Sequence, residues 1–311
     1  MQPLVITSCT NRKRRAPDET LRGASLQRGE LGVVAEAWAH RLRSAQPAAR
    51  ADVLYCGRAF RDAKAAAECA RGALYIVSAG LGLVPAHAKV PSYSLTITSN
   101  SSESILARID GSCSATRWWE ALISCSPFSD QLAIVVQQHP GPILVALPTT
   151  YLSMVSAQID ELPSAARARL RIFTGMPSHT IPLTLKPYKM PYDARFDGVG
   201  TPYPGTQGDF AQRALLHFVE RILPQEPTGN AKTHAEAVNA SLANLRAPVV
   251  PCRQRLSDLE VIALIHRHWD AVSGQSGKML RFLRDDLTVA CEQSRFRALF
   301  NAAKEERGAA R

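Results

Sequence analysis

Four short apolar runs punctuate the chain: Leu4 to Thr7, Leu74 to Ser78, Ile143 to Leu147 and Leu170 to Phe173. Each is continuous rather than alternating and ends in a polar or turn-forming loop, as strands buried on both faces of a parallel sheet do. Between them lie Ala- and Leu-rich stretches with helical spacing, at Leu31 to Arg43, Ala59 to Arg71, Trp118 to Ser124 continuing into Gln131 to Gln138, and Tyr151 to Ile159. Strands alternating with helices predict right-handed crossovers and a three-layer α/β domain with a four-stranded parallel sheet. Such sheets bind ligands at the carboxyl ends of their strands.

The pattern then changes. Residues 180–208 are rich in Pro, Gly and Tyr and read as a long ordered loop, since its aromatics argue against disorder. Asp209 is a suitable N-cap for a helix running to about Ile222. Pro224-Gln225-Glu226-Pro227-Thr228-Gly229-Asn230 is the clearest break, and it predicts a domain over 1–224 and a helical module over 225–311. In that module Leu256 to Val272, Lys278 to Arg284 and Thr288 to Lys304 carry helical spacing. The last two, joined by Asp285-Asp286-Leu287, have the layout of a helix-turn-helix, with Arg295 and Arg297 on its second helix as candidate DNA contacts. A small bundle packed on the main domain is the alternative.

At 311 residues, 46% hydrophobic and 21% charged, the chain has a globular composition, and no stretch approaches the apolar length of a membrane span. Lys and Arg total 37 against 27 Asp and Glu, a net charge of +10 that favours an anionic partner such as nucleic acid. The excess is mostly arginine, 29 against 8 lysines, although a GC-rich genome produces the same bias. From residue 225 onward 13 basic residues face 10 acidic ones, so most of the positive charge belongs to the first domain. The 7 cysteines are scattered, with neither a C-x-x-C pair nor a metal-ligand cluster, so no metal or other cofactor is expected. Lacking a signal-peptide pattern as well, the chain is expected in the reducing cytoplasm.

The strand-end loops read Ser8-Cys9-Thr10-Asn11-Arg12-Lys13, Ala79-Gly80-Leu81-Gly82, Pro148-Thr149-Thr150-Tyr151 and Gly175-Met176-Pro177-Ser178-His179. Small and polar residues suit a shared cleft, with Cys9, Thr10, Gly80 and Thr149 as candidate lining. Such residues also merely turn a chain from strand to helix. The run Arg12-Lys13-Arg14-Arg15 falls at the same edge, where it can clamp a phosphate backbone; elsewhere it would be a solvated face. Gly80-Leu81-Gly82 is too short for a dinucleotide fingerprint, and no phosphate-binding G-x-x-x-x-G-K-[ST] occurs.

Ser8 to Lys13, Tyr55-x-Gly57-x-x-Phe60, Tyr75 to Ala79 followed by Gly82-Leu83-Val84, and Pro91-Ser92-Tyr93 resemble a bacterial family of α/β domains. That family is similar to the uracil-DNA-glycosylase-like domain of archaeosine synthases, and the resemblance covers roughly residues 1–220. The chain is also similar to anti-phage DNA glycosylases that remove glucosylated hydroxymethylcytosine. The resemblance implies a glycosylase acting on a modified base flipped out of double-stranded DNA, phage DNA included, and leaving an abasic site. Uracil-DNA glycosylases carry a water-positioning Asp after the first strand and a His-Pro-Ser segment after the last. Here the first loop has no carboxylate, Asn11 being its nearest polar match, and in the last loop Pro177-Ser178 matches while His179 is displaced.

That departure turns attention to Asp193, Asp197 and Asp209, with Asp193 preferred as catalytic carboxylate. Its neighbour Tyr192 can stack a base and Arg195 can hold phosphate or orient the acid, although a local ion pair accounts for Asp193 and Arg195 equally well. His179 is the candidate donor to the leaving base. Tyr93 is either base pocket or core. Two other readings stay open: a DNA-binding protein on a glycosylase-like fold that has lost catalysis, and an enzyme processing RNA or free nucleosides.

Overall fold

The computed structural model describes residues 2–198, 200–249 and 252–309. The chain forms two compact units, Met1–Pro248 and Val249–Arg311. In the first, strands β1 (Leu4–Ser8), β2 (Ala73–Ser78), β3 (Gly82–Pro85), β4 (Ile143–Ala146) and β5 (Leu170–Phe173) form one sheet in the order β3-β2-β1-β4-β5. The four expected strands are parallel, with Ile6 of β1 opposite Tyr75 on one side and Val145 on the other. The sheet is nonetheless mixed and five-stranded, because β3 folds back antiparallel on β2 as an edge strand. The outer side of β3 is covered. Leu83 N–H donates to Ser129 Oγ at 3.1 Å, and Asp130 N–H donates to the Leu83 carbonyl at 2.8 Å.

Strand side chains alternate between the faces, and each face has its own helical layer. The longer helices are α1 (Leu31–Ser44), α2 (Arg58–Cys69), α3 (Ala115–Cys125), α4 (Leu132–Gln138), α5 (Thr149–Asp160), α6 (Phe210–His217) and α7 (Ala231–Leu242). Leu4, Ile6 and Val145 share a core with Trp38 of α1, Trp118 of α3 and Leu152 of α5. Val5, Leu144 and Phe173 face Ala63 of α2, Leu215 of α6 and Val238 of α7. The helix from 210 changes to wider π turns over Phe218–Ile222.

The unit boundary lies beyond the expected break at 224, because α7 packs back on the sheet. Arg171 of β5 donates from Nε to Nδ1 of the buried His234 at 2.7 Å and from a terminal nitrogen to the Gly229 carbonyl at 2.7 Å. Pro224 and Pro227 thus mark a turn inside the unit. Among the described residues of the 180–208 loop, 3-10 turns form at Lys186–Tyr188 and Ala194–Asp197, and Tyr192 and Phe196 are buried.

The second unit is a three-helix module of α8 (Asp258–His268), α9 (Ser276–Asp285) and α10 (Gln293–Ala309) around Val261, Ile265, Met279, Leu283, Phe296 and Phe300. Ser257 and Glu260 close a reciprocal capping box at the start of α8. The connection from α9 to α10 spans residues 286–292, longer than the expected three-residue turn, and Val289 in it bridges to Gln254. Among the described residues no helix is long and apolar enough to cross a membrane.

Candidate functional site

Three strand ends and two flanking segments bring a polar cluster together at the carboxyl edge of the sheet. Cys9, just past β1, lies with its Sγ 3.2 Å from the Tyr151 hydroxyl on α5. Ser78, at the end of β2, shares its Oγ with the Tyr93 hydroxyl at 2.6 Å, and Tyr93 reaches the Tyr55 hydroxyl at 2.9 Å. Burial, and after it the nearby Cys9, raises all three phenols, so they act as protonated hydrogen-bonding groups. The half-buried Lys13 lies over this aromatic floor, its Nζ 4.2 Å from the Tyr93 ring centre and 5.7 Å from that of Tyr55. Its hydrogen bond goes to the Thr10 carbonyl at 3.4 Å. Desolvation pushes the ammonium below the usual lysine range, and Cys9 and Cys56 offset this only in part.

The basic loop is fastened in place. Cys56 N–H donates to the Arg12 carbonyl at 3.1 Å, Arg14 N–H to the Leu54 carbonyl at 2.9 Å, and Thr10 Oγ1 to the Cys56 carbonyl at 2.8 Å. The Tyr55 to Gly57 segment can turn into α2 because Gly57 takes φ of 111°, a left-handed conformation open to glycine. Asn11, Arg12, Arg14 and Arg15 are exposed along this rim.

Of the expected lining residues, Cys9 and Thr10 meet in this cluster and Gly80 and Tyr93 form its floor, while Lys13, expected as a backbone contact, joins them. A Cβ built on Gly80 would lie 2.5 Å from Tyr93 Cε2, so glycine lets the β2 loop rest directly on the ring. Trp38 and Trp118 hold the same loop by donating to the carbonyls of Gly80 and Ala79 at 2.6 and 2.8 Å. Thr149 opens instead on a neighbouring cavity of about 280 Å³, shared with Thr150, Gly175 and Gln207 at the ends of β4 and β5. His179 is exposed on the β5 loop, where Lys189 donates to the Met176 carbonyl at 2.9 Å and to Ser178 Oγ at 3.1 Å.

The three loop carboxylates have other engagements. Asp193 caps the turn at 194 and pairs with Arg195 at 2.9 Å, and Arg195 continues to Asn239 of α7 at 3.4 Å. Partial burial raises the Asp193 carboxyl, but the hydrogen bonds and charge of Arg195 outweigh it and hold the group below the usual carboxylate range. That makes Asp193 a weak base, and the pair lies against α7 rather than on the Asn11 loop. Asp197 and Asp209 both bind Arg213, which is 1% exposed, at 2.6 and 2.7 Å. Arg213 also donates to the carbonyls of Tyr203 and Thr206 at 2.8 and 2.9 Å, so it anchors the end of the long loop. Tyr192 is buried with its hydroxyl 2.6 Å from His217 Nδ1, and its ring offers no open face to a base. In the second unit Arg295 is bound to Asp258 at 2.6 Å, whereas Arg297 is exposed.

Sequence reasoning passed over Tyr55, Ser78 and Tyr151 as site residues. Each stands in or beside a strand-end or loop motif that was visible, so an aromatic or hydroxyl next to such a loop was the available signal. Among the described residues no cluster of three or more His, Cys, Asp or Glu side chains is placed to hold a metal ion. Compared with family models, curated proteins and solved structures, the chain has no match in any of the three.

Proposed function

We propose that this protein is a DNA glycosylase, hydrolysing the N-glycosidic bond of a modified base, with the carboxyl edge of the sheet as its active site. The observation that carries the reading is the exposed run Arg12, Arg14 and Arg15, pinned by backbone hydrogen bonds beside a cluster of the buried Cys9, Tyr55 and Tyr93 with the half-buried Lys13 and Tyr151. A fixed cationic rim suits a phosphate backbone, and the hydroxyl, thiol and amine groups beside it suit hydrogen bonding to a nucleotide turned out of the duplex. The four parallel strands in the order β2-β1-β4-β5 fit the uracil-DNA-glycosylase-like fold of the resemblance.

In this reading Asn11 positions the attacking water, His179 donates to the departing base, and the cavity at Thr149 admits part of a base larger than uracil. Asp193 is the less suitable group for water, since Arg195 already holds it. Glucosylated hydroxymethylcytosine of phage DNA is the substrate class the resemblance favours, and abasic phage DNA would be the product in a defence role. One observation favours a binding protein instead, namely that Asp193, Asp197 and Asp209 are all committed to arginines.

The test is to incubate the protein with duplex DNA carrying cytosine, uracil, hydroxymethylcytosine or its glucosylated form. Alkali-labile sites are scored and released bases identified by mass spectrometry. Release of a modified base by the wild-type protein, lost in Asn11→Ala, is the expected result. Binding of all four duplexes without release of any base would replace the glycosylase reading with the binding one.

A further inference from the structure

We propose that Lys13 is an amine nucleophile that forms an imine with the open-chain aldehyde of an abasic deoxyribose in DNA, so that the protein cuts the strand at abasic sites. The inference rests on the glycosylase reading for its substrate class, because an abasic sugar is what base removal leaves.

The lysines differ in how they are engaged. Lys189 is bound to Met176 and Ser178, and Lys64 pairs with Asp52 at 3.5 Å. Lys13 makes no ion pair among the described residues, and its one hydrogen bond is a long one to a backbone carbonyl. A half-buried cation on tyrosine faces, without a carboxylate, is poorly placed to add stability by ion pairing. Such surroundings do favour the neutral amine, which is the form that attacks a carbonyl. The direction of the Lys13 shift agrees with this.

Position adds a second line. Lys13 pairs with Tyr55 in an antiparallel bridge, so its backbone is held. It stands between Arg12 and Arg14, both exposed on the rim, which suit the phosphates on either side of a single sugar. Amine and phosphate ligands therefore belong to one fixed segment of chain, an arrangement that lowers the entropic cost of bringing amine and aldehyde together.

The chemistry balances without an added oxidant or reductant. The neutral Nζ adds to C1′ of the aldehyde, and uptake of one proton from solvent with loss of one water leaves a protonated imine. Water removes a proton from C2′, the C3′–O bond breaks, and the phosphate leaves with the bonding electrons. The unsaturated imine is then hydrolysed, which restores the lysine amine and leaves the cleaved strand ending in an unsaturated aldehyde.

The experiment uses the full chain and a duplex with one preformed abasic site, in the presence of sodium borohydride, which reduces an imine to a stable amine. Base removal is bypassed, so a negative result here leaves base release from intact modified DNA to be scored on its own. The wild-type protein is expected to become covalently joined to the abasic duplex and to leave a tetrahydrofuran duplex, which has no aldehyde, unjoined. Lys13→Arg, which keeps the charge, is expected to lose at least nine-tenths of the joining. Peptide mapping of the wild-type adduct, which does not depend on any variant folding, is expected to find the sugar remnant on Lys13. No adduct with the abasic duplex, an adduct undiminished in Lys13→Arg, or a remnant on another amine would each overturn the proposal.

Discussion

Two cations of the first unit, the buried Arg213 and the half-buried Lys13, are held in different ways. Arg213 is enclosed by Asp197, Asp209 and two carbonyls, with the rings of Phe196 and Phe210 beside it. Lys13 is enclosed by phenols and a thiol, with no carboxylate in reach among the described residues. The first arrangement satisfies its charge and holds a loop against α6. The second leaves its charge under-compensated at an edge where ligands bind. Neutralised buried charge serves architecture, whereas uncompensated buried charge marks a place where chemistry is worth testing.

The largest expected effect separates the two. Arg213→Met strands two carboxylates, Asp209 being buried, and should cost about 3–5 kcal/mol in urea denaturation. A loss below about 1 kcal/mol would break the comparison from the arginine side. Gly80→Ala pushes a methyl into the Tyr93 ring and should cost about 2 kcal/mol by the same measurement, since the ring is fixed by Ser78 and Tyr55.

His217 tests the arginine side by pH. It packs against Phe196 and Tyr203, and burial, followed by the charge of Arg221, lowers its pKa from 6.5 to about 4. The folded state therefore holds the ring neutral, and the unfolded state binds the extra proton between those values. The stability this contributes is full above pH 6.5 and is lost as pH falls toward 4. Because His217 lines an open cavity, solvent screens part of the shift, and thermal melts should register about 1–2 kcal/mol. His217→Gln should flatten that slope.

Tyr93→Phe removes a hydroxyl shared with Ser78 and Tyr55 and should cost about 1 kcal/mol. Lys13→Met should change stability least, within about 1 kcal/mol at pH 7 and toward greater stability, because a thioether packs on tyrosines without a desolvated charge. If it cost as much as Arg213→Met, Lys13 would be a structural cation like its counterpart.

What could be read in the sequence follows the range of the forces involved. The four parallel strands were legible because each is a short apolar run covered on both faces and closed by a loop. Strand β3 was not, since Gly82 and Pro85 bound a four-residue segment that reads as a turn. The break at the prolines differs from the compact-unit boundary because prolines report local geometry, while α7 is kept in the first unit by Arg171 meeting a histidine 63 residues away. Within the site, Cys9, Thr10 and Lys13 were visible as one strand-end loop. Tyr55 and Tyr151 join them only through the fold, and the engagement of Tyr192 with His217 arises the same way.

The covered outer side of β3 also affects how molecules of this chain meet. A bare sheet edge invites a strand from another copy, which is a route to swapped dimers and fibrils. Here Ser129 and Asp130 already occupy the groups of Leu83 that an incoming strand would need, and Pro85, having no N–H, ends the strand. The segment from 126 to 130 therefore acts as a gatekeeper, and Ser129→Gly, which frees the Leu83 N–H, should make the protein more prone to aggregate.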